Sequence, residues 1–210
     1  MSGVTRSLFH VAIKGFLETV DSLEQDQMTL MALGNFSVRD LLGHTSRALS
    51  TIEDYIVPSI ISVSQMTAVS YFTHVWKPLG SKERMLRDQN IEERAHSTAL
   101  NFSEDMKEAL HNLALRVENI VKNANDDTAV NTAAGEMKLI EYLPTRTFEL
   151  SVHTLDLARA TGKPIPVCLK PAIEASLMLA SSLVIQNNEA SEVLLALCGR
   201  DTLPTGYSIV

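Results

Sequence analysis

The sequence predicts an all-α protein, built as a four-helix bundle with additional short helices at its C-terminal end. Three observations support this fold class. Apolar residues recur at three- and four-residue steps in several long segments, which is the pattern of a helix with one buried face. Proline, glycine and polar stretches separate those segments. No segment of useful length alternates between apolar and polar residues, as a half-buried strand does.

The first helix is predicted from about Val4 to Leu23. Its apolar side chains fall on one helix face: Leu8, Val11, Ala12, Phe16, Val20 and Leu23. Residues 25–36 break this pattern, so we expect a loop there.

The second helix has a clear start signal. Ser37 is a suitable N-cap, and an acidic residue, Asp40, follows three positions later, as in a capping box. The apolar face then continues through Leu41, Ala48, Ile52 and Tyr55. Pro58 is expected to end or kink this helix.

The middle of the chain gives a weaker pattern. Residues 59–90 are rich in apolar side chains but are interrupted by Pro78 and Gly80, so a helix or loop that caps one end of the bundle is expected. Residues 90–123 are strongly helical, with a break near Ser103. The expected buried face comprises Leu110, Leu113, Val117, Ile120 and Val121. Residues 123–135 are predicted to be a polar loop.

The last long helix is predicted over residues 140–161 and ends at Gly162, a favourable C-cap residue. Three prolines follow within ten residues, so the helix cannot continue. Two shorter helices are expected at about 172–186 and 189–198. We expect one domain over residues 1–210, with the bundle core at about 4–162 and a helical extension at 163–210.

Composition restricts the function classes. The chain has 210 residues and a net charge of −7, without a basic cluster, which argues against nucleic-acid and anionic-membrane partners. No uninterrupted apolar stretch reaches the roughly 18 residues of a membrane span. Cys168 and Cys198 lack metal-type spacing, so packed thiols in a reducing compartment are expected. The N-terminus does not resemble a signal peptide, and a cytoplasmic location is therefore expected.

One stripe of the last long helix carries most of the polar chemistry. At about 100° per residue, Tyr142, Arg146, Glu149, His153 and Asp156 fall on one narrow line. Large apolar side chains flank this line on both sides, so we expect the stripe to point into the bundle. Buried polar groups must be satisfied by one another or by a metal.

Glu149 and His153 are spaced i, i+4 and can reach one point, as a divalent-metal site requires. This spacing alone favours an ordinary helix pair, because it is common by chance. His44 lies between Leu41 and Ala48 on the inward face of the second helix, and taken singly it is better explained as a hydrogen-bonded core histidine. Together, His44, Glu149 and His153 form a three-ligand site with an open position, suited to Zn²⁺ or to Ni²⁺ and similar ions.

The remaining polar residues leave alternatives open. Arg146 and Asp156 could orient the ligands or neutralise charge, or could form a buried ion pair. Three arginines could bind an anionic substrate or could be solvated charges: Arg84, Arg87 and Arg94. Asp40 is expected to serve the helix N-terminus. The other histidines have no partner pattern and are expected to be surface or core residues: His10, His74, His96 and His111.

Three motifs resemble those of a known family. Residues 37–44, SVRDLLGH, resemble the (T/S)-V-R-D-L-x-x-H signature in the N-terminal domain of mycothiol-dependent maleylpyruvate isomerases, which are DinB-like metal-binding four-helix bundles. Residues 146–162, RTFELSVHTLDLARATG, are similar to that family's R-x-x-E-x-x-x-H-x-x-D-L-A-x-A-x-G run. Residues 195–206, LALCGRDTLPTG, are similar to the A-L-x-G-R-x-x-L-P-x-G tail of short actinobacterial members.

This resemblance implies an up-down bundle in which His44, Glu149 and His153 are the metal ligands, with mycothiol as co-substrate. The implied function is that of a metal-dependent thiol S-transferase or thiol-dependent isomerase acting on an electrophilic small molecule. The alternative is a non-catalytic metal- or thiol-binding protein of stress response or sensing. A homodimer is compatible with the sequence.

Overall fold

The computed structural model describes residues 2–61, 65–76, 80–102 and 105–210, and this part of the chain is predominantly helical. It contains eight α-helices: α1 (Ser2–Ser22), α2 (Val38–Tyr55), α3 (Ala68–Val75), α4 (Ser81–Asn101), α5 (Met106–Asn123), α6 (Leu139–Thr161), α7 (Lys170–Gln186) and α8 (Ala190–Leu197). It also contains five short strands: β1 (Met31–Leu33), β2 (Phe36–Ser37), β3 (Ile56–Ile60), β4 (Thr128–Thr132) and β5 (Gly135–Lys138).

Four long helices form the bundle. α1 and α2 each pack against both α5 and α6. Each of these four helices contributes apolar side chains that are fully buried in the shared core, among them Phe9, Phe16, Leu49, Leu110 and Leu150. The predicted mostly helical bundle with short C-terminal helices is thereby confirmed.

The boundaries of α2 and α6 follow the signals in the sequence. The Oγ of Ser37 accepts a hydrogen bond of 3.1 Å from the backbone N–H of Asp40, and the Asp40 carboxylate accepts one of 3.2 Å from the backbone N–H of Ser37. α2 ends at Tyr55, three residues before Pro58. Gly162 ends α6 in the left-handed conformation at φ +66°, where a residue without a side chain is favoured.

The segment at 90–123 belongs to two helices with different roles. α4 ends at Asn101 and α5 begins at Met106, while Ser103, the predicted break, lies outside the described residues, as does Pro78. Only α5 belongs to the bundle. α4 packs on the outer face of α2, where a Cβ on Gly43 would lie 2.6 Å from the carbonyl oxygen of Ala95.

Two predicted loops contain regular structure. Residues 25–36 hold a 3-10 helix (Gln25–Thr29) and then β1, which pairs with β2 as a small hairpin. The predicted polar loop at 123–135 contains β4, which lies between β3 and β5 in an antiparallel sheet. These strands are too short to show an alternating pattern, and the pairing of β4 with β3, about 70 residues earlier, is not a local property of the sequence.

The C-terminal helices pack on one side of the bundle. α7 lies against α6, α1 and α3, and α8 lies against α7. The segment Val167–Gln186 has a mean hydropathy of 1.5, which is apolar enough to span a membrane by length and composition alone. That is weak evidence, because core helices of soluble proteins meet the same criterion. Large apolar side chains of α7 and α8 are exposed, including Met178 and Leu197. The homodimer stays a prediction.

Candidate metal centre

Three side chains from two bundle helices converge on one point. His44 lies near the middle of α2, and Glu149 and His153 lie one turn apart on α6. One nitrogen or oxygen atom from each of the three lies within 4.8 Å of the other two. The imidazole rings of His44 and His153 meet edge to face, with their centroids 4.8 Å apart. The structure therefore brings together the three residues that the sequence suggested as ligands.

Asp156 fixes the orientation of His153. The Nδ1 of His153 donates a hydrogen bond of 3.1 Å to the Asp156 carboxylate, one helical turn further along α6. The Nε2 of the same ring consequently faces Glu149, whose carboxylate oxygen lies 3.3 Å away. A carboxylate behind a histidine is the usual arrangement around a metal-binding imidazole, because it fixes both the tautomer and the ring plane.

Burial and neighbouring charges give the three groups different proton affinities. Burial, together with the nearby His153, lowers the pKa of His44 to about 4. Burial alone would raise the pKa of Glu149, but the hydrogen bond with His153 and the charge of Arg146 lower it. Burial would lower the pKa of His153, whereas its hydrogen bonds to Asp156 and Glu149 raise it to about 9. At neutral pH the centre therefore offers a neutral His44 and an ionised Glu149.

This donor set fits a divalent metal. Two imidazoles and one carboxylate form a common ligand set of catalytic zinc sites, which keep a position open for water or substrate. Atoms that bind one ion at about 2.1 Å lie at most about 4.2 Å apart. In this structure the candidate ligand atoms lie within 4.8 Å of one another, and small side-chain rotations can bring them to the shorter distance. His44, Glu149 and His153 could thus hold one ion. Among the described residues, the group of candidate ligands contains no fourth member.

Arg146 is a buried cation one turn before Glu149. It is 7% exposed, and its Nε donates to the Oγ1 of Thr145 at 3.0 Å. Its guanidinium carbon lies 4.6 Å from the ring centroid of Tyr142 and 5.8 Å from that of Tyr71. No carboxylate oxygen of the described residues lies within ion-pair distance of Arg146. The predicted alternative of a buried ion pair is therefore not found.

Arg146 stays charged although it is buried. Burial would lower the pKa of Arg146, but Tyr142, Tyr71 and Glu149 together raise it. Cation–π contacts with the tyrosine rings contribute to this stabilisation, by about 2 kcal/mol for a buried guanidinium.

A cavity of about 280 Å³ opens above the three candidate ligands. Two of the three arginines singled out in the sequence, Arg87 and Arg94, line it, whereas Arg84 lines a neighbouring cavity. Arg47 and Trp76 also line the wall and were not predicted from the sequence. Arg47 could have been found, because it lies three residues after His44 on the same helix face. Trp76 follows α3. The packing of α3 against α6 cannot be predicted from a local sequence pattern.

The other polar candidates have roles outside the cavity. Asp40 caps α2, as expected. Three of the remaining histidines pair with carboxylates at the surface: His10 with Glu118, His96 with Asp40, and His111 with Asp21. His74 is exposed in α3.

The two cysteines differ from each other. Cys168 is half-buried, and burial together with the nearby Glu18 raises the pKa of its thiol. Cys198 is exposed, so the prediction that both thiols are packed was wrong for Cys198.

The comparisons with known proteins support the fold. No protein-family model matches the chain, and no curated protein matches it. Among solved structures, it is similar to the crystal structure of a histidine-to-alanine mutant of a mycothiol-dependent maleylpyruvate isomerase. That similarity has a TM-score of 0.50 at 12% sequence identity and covers 88% of this chain and 70% of the other. At this identity the two proteins share a fold, and nothing further follows from the likeness itself.

Proposed function

We propose that this protein is a metal-dependent enzyme that activates a low-molecular-weight thiol, such as mycothiol, for attack on an electrophilic small molecule. The observation that carries the proposal is the convergence of His44, Glu149 and His153 at the base of an open cavity. An ion with three protein ligands has a free position for an exogenous ligand, which a closed structural site lacks. The similar solved structure is that of a mycothiol-dependent isomerase, which favours a thiol as that ligand.

Each residue of the centre has a defined task in this proposal. His44, Glu149 and His153 supply two nitrogen donors and one oxygen donor, a set that suits Zn²⁺ and also Ni²⁺. Asp156 accepts the Nδ1 proton of His153, so Nε2 is the nitrogen turned toward the site, where a bound metal would replace its proton. A bound divalent metal would lower the pKa of a coordinated thiol, so that the thiolate is present near neutral pH.

Two reaction classes are compatible with such a thiolate. In S-transfer, the sulfur forms a bond to carbon, and the leaving group departs with the electron pair of the broken bond. In isomerisation, the sulfur adds to a conjugated double bond, the resulting single bond rotates, and the sulfur leaves again, so the thiol is regenerated. Both classes need a nucleophile held beside a cavity from which water can be displaced.

The decisive experiment uses cobalt as a spectroscopic substitute for zinc. In a variant with Cys168 and Cys198 both replaced by Ser, cobalt-loaded protein is expected to develop a thiolate-to-metal charge-transfer band when mycothiol is added. His44→Ala and His153→Ala should each lose most of the metal and the band, whereas His111→Ala, at a surface histidine, should keep both. A cobalt spectrum unchanged by saturating mycothiol would refute direct thiolate ligation.

Turnover separates the enzyme from a protein that only binds metal or thiol. Zinc-loaded protein with mycothiol should consume a generic electrophile, such as chlorodinitrobenzene, faster than mycothiol alone. The charge-transfer band without any rate increase over a panel of electrophiles would instead support a non-catalytic sensing or storage role.

A further inference from the structure

Helix α7 has apolar side chains on two opposite faces, and the bundle covers only one of them. Its inner face packs against α1, α3 and α6 through four buried residues: Ala172, Ser176, Leu183 and Val184. At about 100° per residue, Leu177, Met178 and Ile185 fall on the opposite side of the helix, and all three are exposed. A helix that is apolar on all sides is normally buried on all sides. The outer face of α7 therefore requires a partner, which the described part of the chain does not supply.

Helix α8 adds to this uncovered apolar surface. It packs against α7, none of its residues is buried, and Leu194, Leu195 and Leu197 are exposed. These three side chains, together with Leu177, Met178 and Ile185, are called the C-terminal apolar face below.

The size of the C-terminal apolar face matches a protein interface. Its six side chains are 46–81% exposed. Since fully burying one side chain of this size removes on the order of 100 Å² of apolar surface, the six together offer on the order of 400 Å². A specific interface buries about 800 Å² on each partner, of which roughly 55–65% is apolar. The face thus supplies most of the apolar surface that one half of such an interface needs.

The charges around the face favour contact between two copies of the chain. Residues 175–188 carry no charged side chain, and Lys170 and Glu174 are the two charged residues of α7, which has no net charge. Because the chain has a net charge of −7, most other surfaces of two copies would repel each other. In an antiparallel pairing, Lys170 of each copy lies beside the C-terminal end of the other copy's α7. The helix dipole and the acidic start of α8, with Glu189 and Glu192, make that end negative.

A membrane fits the same face less well. Surface helices that bind anionic lipids carry several basic residues beside their apolar side, whereas α7 has Lys170 alone and the start of α8 is acidic. A membrane-spanning α7 would have to withdraw Ala172 and Leu183 from the core, where both are buried.

We propose that the protein forms a two-fold symmetric homodimer, in which the C-terminal apolar faces of two copies pack together with their α7 helices antiparallel. A two-fold contact uses the same surface on both copies and closes on itself, so the dimer is the final assembly. No residue of the face is among those that line the cavity above the metal centre, so this inference does not depend on the proposed function.

Analytical ultracentrifugation of the intact chain tests the assembly. The wild type is expected to sediment with twice the chain mass of 23.1 kDa at micromolar concentration. A wild type that remains a monomer at its highest soluble concentration would overturn the proposal. Species that keep growing beyond the dimer would also overturn it, because they indicate a contact that does not close.

Variants then locate the interface. Leu177→Glu should give a monomer with an unchanged circular dichroism spectrum, because the dimer would bury two like charges whereas the monomer leaves them in water. Leu115→Glu is the matched control, because Leu115 of α5 is 64% exposed, against 66% for Leu177, and it should remain dimeric. A dimer that survives Leu177→Glu, or that Leu115→Glu abolishes, would place the contact elsewhere.

Charge pairing at Met178 tests the antiparallel arrangement. Met178 lies near the middle of α7, so the two copies of this residue should lie near the symmetry axis. Met178→Glu and Met178→Lys should each be monomeric alone and should form a heterodimer when mixed. A mixture that stays monomeric would refute this arrangement. A monomeric wild type that binds phosphatidylglycerol vesicles, with binding lost in Leu177→Glu, would assign the face to a membrane surface and overturn the homodimer.

Discussion

His153 is the residue on which the chemistry of the centre depends most, because it lies between two carboxylates. Asp156 accepts a hydrogen bond from one side of the ring, and Glu149 lies 3.3 Å from the other. Helix geometry alone places these three residues on one stripe, so this part of the site was predictable from the sequence. The environment of Arg146 was not predictable: among the described residues it has no carboxylate partner, and it packs instead against Tyr71 of α3, which lies 75 positions earlier in the chain.

The raised pKa of His153 makes metal binding depend on pH. In the metal-free protein the pKa of His153 is about 9, so below that pH the metal must displace a proton from the ring. The pKa of His44 is about 4, so this ligand is already neutral. The apparent zinc affinity should therefore rise about tenfold per pH unit between pH 7 and 9 and then level off. Competition with a chelator of known affinity, repeated at each pH, measures this slope.

Asp156→Asn provides the internal check on this prediction. Without the carboxylate the pKa of His153 falls, so the affinity should level off at a lower pH. Asp201→Asn, at an exposed aspartate, is the control and should leave the profile unchanged. A flat profile in the wild type would show that metal binding displaces no proton from His153 in this pH range.

At the scale of elements, the starts and ends of helices were predictable where a local signal exists. Ser37 and Gly162 fix the ends of α2 and α6 through hydrogen bonds and a backbone conformation that involve only neighbouring residues. The contact between α2 and α4 is different, because it depends on close approach of two helices distant in sequence. Gly43 on α2 allows it, and the small residues Ala95 and Ala99 on α4 are fully buried beneath it.

Gly43→Ala should therefore destabilise the protein, although alanine is the better helix former. The new Cβ would lie 2.6 Å from the Ala95 oxygen and 2.8 Å from the Ala99 nitrogen, and these are backbone atoms that cannot rotate away. Overpacking of this kind costs about 1–3 kcal/mol, and the gain in helix propensity is at most about 1 kcal/mol. We expect the free energy of unfolding, measured in urea, to fall by about 1–2 kcal/mol.

Gly3→Ala is the matched control, since Gly3 also lies in a helix but has no atom within 4 Å of its would-be Cβ. It should leave the free energy of unfolding unchanged or slightly raise it. Equal stability of Gly43→Ala and the wild type would mean that α4 is not held tightly against α2.

At the scale of the whole molecule, the bundle was predictable because it follows from helix periodicity, whereas the cavity was not. Its wall combines α2, α3, α4 and α6 with Trp76, just after α3, and with Ala133, in the turn between β4 and β5. The pairing of β3 with β4 and the position of α4 outside the bundle depend on contacts between distant segments. The sequence therefore indicated the candidate ligands and three of the cavity arginines, Arg87, Arg94 and Arg146, but not the shape of the cavity around them.

The position of the centre also predicts a global effect of metal removal. His44 on α2 lies more than one hundred residues before Glu149 and His153 on α6, so one ion would tie α2 to α6 in the native state only. Zinc at 100 to 1,000 times its dissociation constant would add about 3–4 kcal/mol to the free energy of unfolding. For a chain of this size that corresponds to a rise of roughly 5–15 °C in Tm.

Circular dichroism at a helical wavelength can follow the transition with zinc and after its removal by chelator. The His44→Ala variant should show no rise with zinc, and His111→Ala should show the full rise. If chelator leaves the wild-type Tm unchanged, or if His44→Ala gains as much as the wild type, zinc does not connect the two helices through these residues.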